Sequence, residues 1–149
     1  MTDPTPQLPQ WIADHIELYE KDPDQGHLWD STRVGGKGVL PTLLLTTTGR
    51  KSGASRVLPL IYKKVGDGYV IIASKGGAPA HPAWYLNLVA HPACHIQVGR
   101  DHLDVVARTA DGGEREALWA QLAEVYPPYR DYQQRAGARQ IPVVVLDPR

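Results

Sequence analysis

Apolar residues recur with helical spacing near the start of the chain. Trp11, Ile12, His15, Ile16, Leu18 and Tyr19 fall on one arc, and Asp14, Glu17, Glu20 and Lys21 fall opposite. The pattern predicts an amphipathic helix from Trp11 to Lys21, packed on its own domain. Peripheral membrane contact is the weaker reading, because helices that lie on membranes favour Lys and Arg on the polar face. The residues before Pro9, rich in Pro, Thr and Gln, are expected to be flexible. From Asp22 to Gly38, Pro, Asp and Gly punctuate the chain around His27-Leu28-Trp29, which reads as loop.

The period then changes to that of strands. Apolar and β-branched runs predict strands over Val39–Thr48, Arg56–Lys63 and Tyr69–Ser74, with hairpin turns at 49–55 and 64–68. Connections this short make sequential strands antiparallel neighbours. A second Gly/Lys loop, Lys75-Gly76-Gly77, follows directly on a strand. A short helix is expected through His81–Leu88 with Pro82 in its first turn, and it places Trp84, Asn87 and Leu88 on one face. Two further strands, His95–Val98 and His102–Ala110, flank a turn. A helix over Glu114–Glu124 directs Leu118, Leu122 and Val125 inward. The run Ile141–Leu146 is apolar enough for a central strand. A single domain of 149 residues with about six antiparallel strands must avoid long open edges. The predicted fold is therefore mainly β, a small barrel with helices packed outside.

Charge narrows the function. The chain is neutral, with 16 basic and 16 acidic residues. Yet Arg50, Lys51, Arg56, Lys63, Lys64 and Lys75 crowd into a stretch where Asp67 is the only acid. Such an island suits a small polyanionic ligand, whereas a nucleic-acid binder is more often basic overall. Within it, Gly49 and Gly53 bracket Arg50, Lys51 and Ser52. A glycine-cornered turn can aim backbone N–H groups and cations into one concavity, an anion cradle. The same residues also make an ordinary solvated hairpin tip, and spacing alone leaves both readings open. The N-terminus of the predicted 81–88 helix supplies a second anion contact beside Ser74–Gly77.

Other chemistries are disfavoured. No GxGxxG follows a strand, and neither a P-loop nor HExxH occurs. His91, Cys94 and His95 do not read as a metal site, since Pro92 interrupts them and alternate strand residues face opposite ways. Cys94 reads as a small buried apolar residue. As the single cysteine it excludes an internal disulfide and is consistent with the cytoplasm. No charged-then-apolar signal segment and no membrane-spanning apolar run is present. Tyr126, Tyr129 and Tyr132 recur every third residue beside Pro127-Pro128. A row of phenols can wall a pocket for a flat organic substrate, or it can cap one end of a barrel.

Four stretches, taken in order, resemble one family. They are Leu45-Thr46-Thr47-Thr48-Gly49-Arg50-Lys51-Ser52-Gly53, then Arg56 with Pro59-Leu60, then Ala73-Ser74-Lys75-Gly76-Gly77, and last Pro82-Ala83-Trp84-Tyr85-Leu86-Asn87-Leu88. The family is that of the deazaflavin-dependent nitroreductases, which includes quinone reductases using reduced 8-hydroxy-5-deazaflavin, coenzyme F-420. The resemblance runs from about Gly26 to the C-terminus. It implies a split β-barrel and a cofactor with a phosphate and an oligoglutamate tail, to which the basic island answers. By this resemblance Arg50, Lys51 and Arg56 hold phosphate and tail, and Ser74, Lys75, Gly76 and Gly77 meet the deazaflavin with backbone N–H groups. Trp84 and Asn87 resemble the family's cofactor-side helix residues. Ser74, Tyr126, Tyr129 and Tyr132 resemble its acceptor-facing set, with Tyr126 the expected hydrogen-bond donor to the acceptor oxygen. Two departures stand out. Ala80 replaces a lysine common in relatives, and the first helix lacks the basic, strongly apolar character of membrane-associated ones. The implied activity is hydride transfer from the reduced deazaflavin to a quinone, nitroaromatic or similar acceptor. The alternatives are a split barrel binding flavin mononucleotide and a non-catalytic deazaflavin carrier.

Overall fold

The computed structural model describes residues 9–149. The expectation of flexibility for the N-terminal residues falls mostly on 1–8, outside the described residues. The elements are α1 (Gln10–Lys21), α2 (Pro23–Gly26), β1 (Leu28–Asp30), a 3-10 turn over Ser31–Val34, β2 (Val39–Thr48), β3 (Ser55–Ile61), β4 (Lys63–Val65) and β5 (Gly68–Ile72). A second 3-10 turn over Lys75–Gly77 leads to α3 (Ala83–Ala90), β6 (Ala93–Val98), β7 (Asp101–Thr109), α4 (Gly112–Val125), α5 (Pro128–Ala136) and β8 (Val143–Pro148).

The strands form one antiparallel, eight-stranded sheet in the order β1-β2-β6-β7-β8-β5-β4, with β3 on the other edge of β2. Strand β2 is the organising element, because its ten residues pair with three partners. Leu43 lies opposite Leu60, and Leu45 lies between Leu58 and Ile96. The two ends of the curl, β3 and β4, are consecutive in the chain with only Tyr62 between them. The sheet thus bends round into a split β-barrel, mainly β with flanking helices.

Alternation explains why β5 and β8 carry uninterrupted apolar runs. Ile71, Val144 and Leu146 point to an inner cluster with Leu43, Leu45 and Ile96. Val70, Ile72, Val143 and Val145 point the other way, beneath Leu118 and Leu122 of α4. Both faces of these strands are buried, as expected of Ile141–Leu146. Trp84 and Leu88 of α3 enter the inner cluster, and so does Cys94. Burial pushes the Cys94 thiol up to about 11, which makes it inert as a nucleophile. Its neighbour His95 faces out and bonds Asp104 and His102, so the two alternate as the strand pattern requires.

Several expected boundaries are corrected. The segment read as loop between Asp22 and Gly38 holds α2, β1 and a 3-10 turn, and the sheet has eight strands where about six were expected. Asp22 caps α2 by accepting from the Gln25 N–H at 3.3 Å, and Asp30 accepts from the Thr32 N–H at 3.0 Å. Such short side-chain caps look like turn punctuation in a sequence. The expected strand Arg56–Lys63 is broken at Tyr62, whose hydroxyl bonds His27 Nε2 at 2.7 Å. Its continuation β4, not β3, forms the hairpin with β5. The Pro127-Pro128 pair ends α4 but also opens α5, because proline fits a first helical turn.

One phenol on the apolar arc of α1 ties the helix to the sheet. Tyr19 is fully buried. Its hydroxyl donates toward Thr42 O at 2.9 Å and Gln97 O at 3.1 Å, and accepts from the Gly99 N–H at 2.7 Å. Trp11 and Leu18 of the same arc are 51% and 44% exposed. Tyr19→Phe leaves buried backbone groups without that partner, so it should lower stability by about 1–3 kcal/mol. Urea unfolding checks this, and an unchanged midpoint would show that the hydroxyl does not anchor the helix.

Candidate functional site

Where β5 ends, the chain turns through three consecutive positive φ angles, +48° at Lys75, +62° at Gly76 and +84° at Gly77. Lys75 is the only non-glycine among the described residues in that region. The turn closes on itself, since the Gly77 and Ala78 N–H groups donate to Ser74 O and Lys75 O at 3.0 and 3.1 Å. Ser74, Lys75 and Gly76 border a cavity of about 360 Å³. Trp84 from α3 and Tyr126, Tyr129 and Tyr132 complete much of the remaining lining. Gly77, expected among the cofactor contacts, instead packs on α5 with its N–H engaged.

The tyrosine row borders the cavity and also packs into the core. The three rings pack on one another with centroids 4.9, 6.1 and 6.3 Å apart, and Trp119 packs on Tyr129. Tyr129 is a buried core residue whose ring also borders the cavity, and burial raises its phenol well above the ordinary value. Tyr126 is buried as well. Its hydroxyl donates to Val34 O at 3.2 Å and meets the Tyr132 hydroxyl at 3.0 Å. Burial, then the bond to Tyr132, raise its phenol too. Tyr132 is the least buried of the three.

The basic turn lies away from this lining, and α3 connects the two. Asn87 follows Trp84 by one helical turn and is 4% exposed. Its Oδ1 accepts from both the Arg50 N–H, at 3.2 Å, and Arg50 Nη1, at 3.0 Å, while its Nδ2 donates to Thr47 Oγ1 at 3.4 Å. Asn87 therefore acts as a tie that fixes Arg50 at the start of the turn. Gly49 and Gly53 close the turn by backbone bonds of 2.7 and 2.8 Å, and Ser52 Oγ accepts from the Ala54 N–H at 3.1 Å. Arg50 and Lys51 are exposed, and Arg56 is half-buried at the start of β3.

Sequence reasoning missed four contributors. Trp11 and Trp29 stack at 6.0 Å and 18°, and with Val34 they border the cavity. They also line a second groove of about 490 Å³ with Leu18 and Leu28, so the two hollows share a wall. The fourth is Arg139, whose guanidinium bonds the carbonyls on both sides of the Ser74–Gly76 turn. Trp11 stood on the apolar arc of the expected first helix and was assigned to packing, whereas its indole is 51% exposed.

The sequence profile described as F420H(2)-dependent quinone reductase matches residues 27–148. An F420H(2)-dependent quinone reductase of Mycobacterium tuberculosis (strain ATCC 25618 / H37Rv) is 42% identical over 148 residues, covering 95% of this chain and 99% of that protein. The solved structure of an F420-H2 dependent reductase (FDR-A) is 44% identical with a TM-score of 0.67, covering 72% of this chain and 94% of that one. A further structure, a domain-swapped dimer, is 38% identical with a TM-score of 0.69 and covers 93% and 98% of the two chains. The chain belongs to the F420H(2)-dependent quinone reductase family.

Proposed function

We propose that this oxidoreductase, whose cofactor is coenzyme F-420, reduces a quinone, with nitroaromatics as further electron-poor acceptors. The observation that carries the reading is a single cavity bordered by the Ser74–Gly76 turn, Trp84 and the tyrosine row, tied through Asn87 to a cationic turn. The residues fit the group. The backbone of Ser74, Lys75 and Gly76 reaches the cavity wall, where a polar ring edge can meet it. The aromatic lining suits a flat tricycle, and Arg50, Lys51 and Arg56 suit a phosphate and carboxylates. When bound, the reduced deazaflavin supplies the hydride. The protein's part is to orient, to exclude water and to place donors where charge develops on the acceptor oxygen. Ser74 and Tyr132 carry hydroxyls at that cavity, whereas the Tyr126 proton is directed at Val34 O. The second groove, lined by Trp11, Trp29, Leu18 and Leu28, gives an apolar substituent of the acceptor a path outward. Among the described residues no helix is long and apolar enough to cross a membrane.

The test is anaerobic oxidation of reduced F-420 by added quinone, followed by the cofactor's absorbance. Bound cofactor that quinone does not reoxidise would make the protein a carrier. Equal affinity for flavin mononucleotide would remove the role given to the cationic turn. Arg50→Ala is expected to weaken F-420 binding by about 1.5–3 kcal/mol, roughly 10- to 100-fold, with added salt eroding the difference. Folding stability should barely change, because Asn87 Oδ1 keeps the bond from the residue-50 N–H. Fluorescence titration reads the affinity, and a wild-type value would return this turn to a solvated hairpin tip.

A further inference from the structure

We propose that Arg139 is a positioning residue for the cofactor, holding the Ser74–Gly76 turn by its carbonyl side through one guanidinium. The inference rests on the reading of that turn as the seat of the deazaflavin. Arg139 Nη2 donates to Ser74 O at 2.7 Å, Nη1 to Ala73 O at 3.1 Å and Nε to Ala78 O at 2.8 Å. Nη1 also meets His81 Nδ1 at 3.1 Å, so every guanidinium nitrogen is engaged. Burial, then the Arg139 charge, lower His81 from its ordinary value. The ring stays neutral and Nδ1 remains an acceptor.

Three features make this more than a surface contact. Carbonyls before and after the turn converge on one planar cation, which fixes the turn's exit relative to its entrance. The turn needs such fixing, because Lys75 at φ +48° is a strained conformation for a side chain with a Cβ. The arginine is itself anchored. Its N–H donates to Ala136 O at 3.2 Å, and its carbonyl accepts from Gln133 Nε2 at 2.8 Å. Gln133 lies on α5 beside Tyr132, so the cofactor turn and the acceptor-side tyrosines share one support. A lysine cannot reproduce it, because an ammonium lacks the planar fork that reaches three carbonyls at once.

Arg139→Lys is expected to weaken F-420 affinity about tenfold or more while the acceptor KM stays within about twofold. In Arg139→Ala, guanidinium chloride well below denaturing concentrations should restore affinity, which a purely structural role would not show. Wild-type affinity in Arg139→Lys, or a folded Arg139→Ala without rescue, overturns the proposal. Should both variants fail to fold, His81→Phe keeps the ring against Tyr85 and removes only the acceptor. It should then weaken F-420 binding about threefold, in line with loss of one hydrogen bond, and an unchanged affinity overturns the proposal. Gly76→Trp separates the two readings, because it fills the cavity edge directly. Retained affinity there refutes the seat itself. Lost affinity there beside a normal Arg139→Lys refutes only the role of Arg139.

Discussion

Gly77→Ala is expected to destabilise the protein by about 2–5 kcal/mol, whereas Gly76→Ala one position earlier costs about 1 kcal/mol. Both glycines have positive φ, +62° at Gly76 and +84° at Gly77, so both substitutions carry a backbone penalty. They differ in what a new methyl group would meet. At Gly76 nothing lies within 4 Å. At Gly77 the Cβ would sit 2.6 Å from Tyr132 O, 2.8 Å from Arg135 Cβ and 2.9 Å from Tyr132 Cα. Two of those atoms are helix backbone and cannot rotate aside, so α5 itself must move. Because α5 carries Tyr129 and Tyr132, the displacement should also enlarge the cavity and weaken F-420 binding. Urea unfolding of the two variants measures the difference. Equal destabilisation would mean that the turn and α5 are not in register as described.

How far the sequence reveals this site follows from where its information lies. The long run of β2, the glycine-cornered basic turn and the Trp84/Asn87/Leu88 face were legible, because each rests on residues close in the chain. Strands β5 and β8 were legible for another reason: burial on both faces leaves no polar alternation. Helix α5 was not, since Pro127-Pro128 signals a stop without saying that a new helix starts at once. Strand β4 was hidden because Tyr62 is as strand-like as its neighbours, and only its bond to His27, far off in sequence, shows the break. Arg139 was hidden most deeply. It follows Gly137-Ala138 in a stretch with no periodicity, and its three carbonyl partners lie more than sixty residues away. Asn87 was placed correctly on its helix, but its tie to Arg50 and Thr47 emerges only when β2 and α3 are brought together.

Tyr132→Phe is expected to lower turnover about 10²- to 10³-fold, or roughly 3–4 kcal/mol, if its hydroxyl donates to the oxygen that gains charge. The tyrosine row held three candidates, and Tyr126 stood first for its place at the helix break. Hydrogen-bond direction favours Tyr132. A phenol has one proton, and the Tyr126 proton points at Val34 O, 3.2 Å away. Tyr132 can give its proton either to Tyr126, across 3.0 Å, or to an acceptor in the cavity. In the second case Tyr126 turns its own proton from Val34 O to the Tyr132 oxygen and so keeps Tyr132 in place. Tyr129 is walled in by Trp119 and its two neighbours, so it contributes packing. Tyr126→Phe should then reduce turnover by about tenfold, the value of one hydrogen bond to a neighbouring group. Neither change should shift F-420 affinity more than about twofold, because the rings and their packing remain. Steady-state quinone reduction by both variants, with cofactor titrations alongside, gives the ordering. A larger loss for Tyr126→Phe would restore Tyr126 as the donor and place Val34 O as a resting partner that the acceptor displaces.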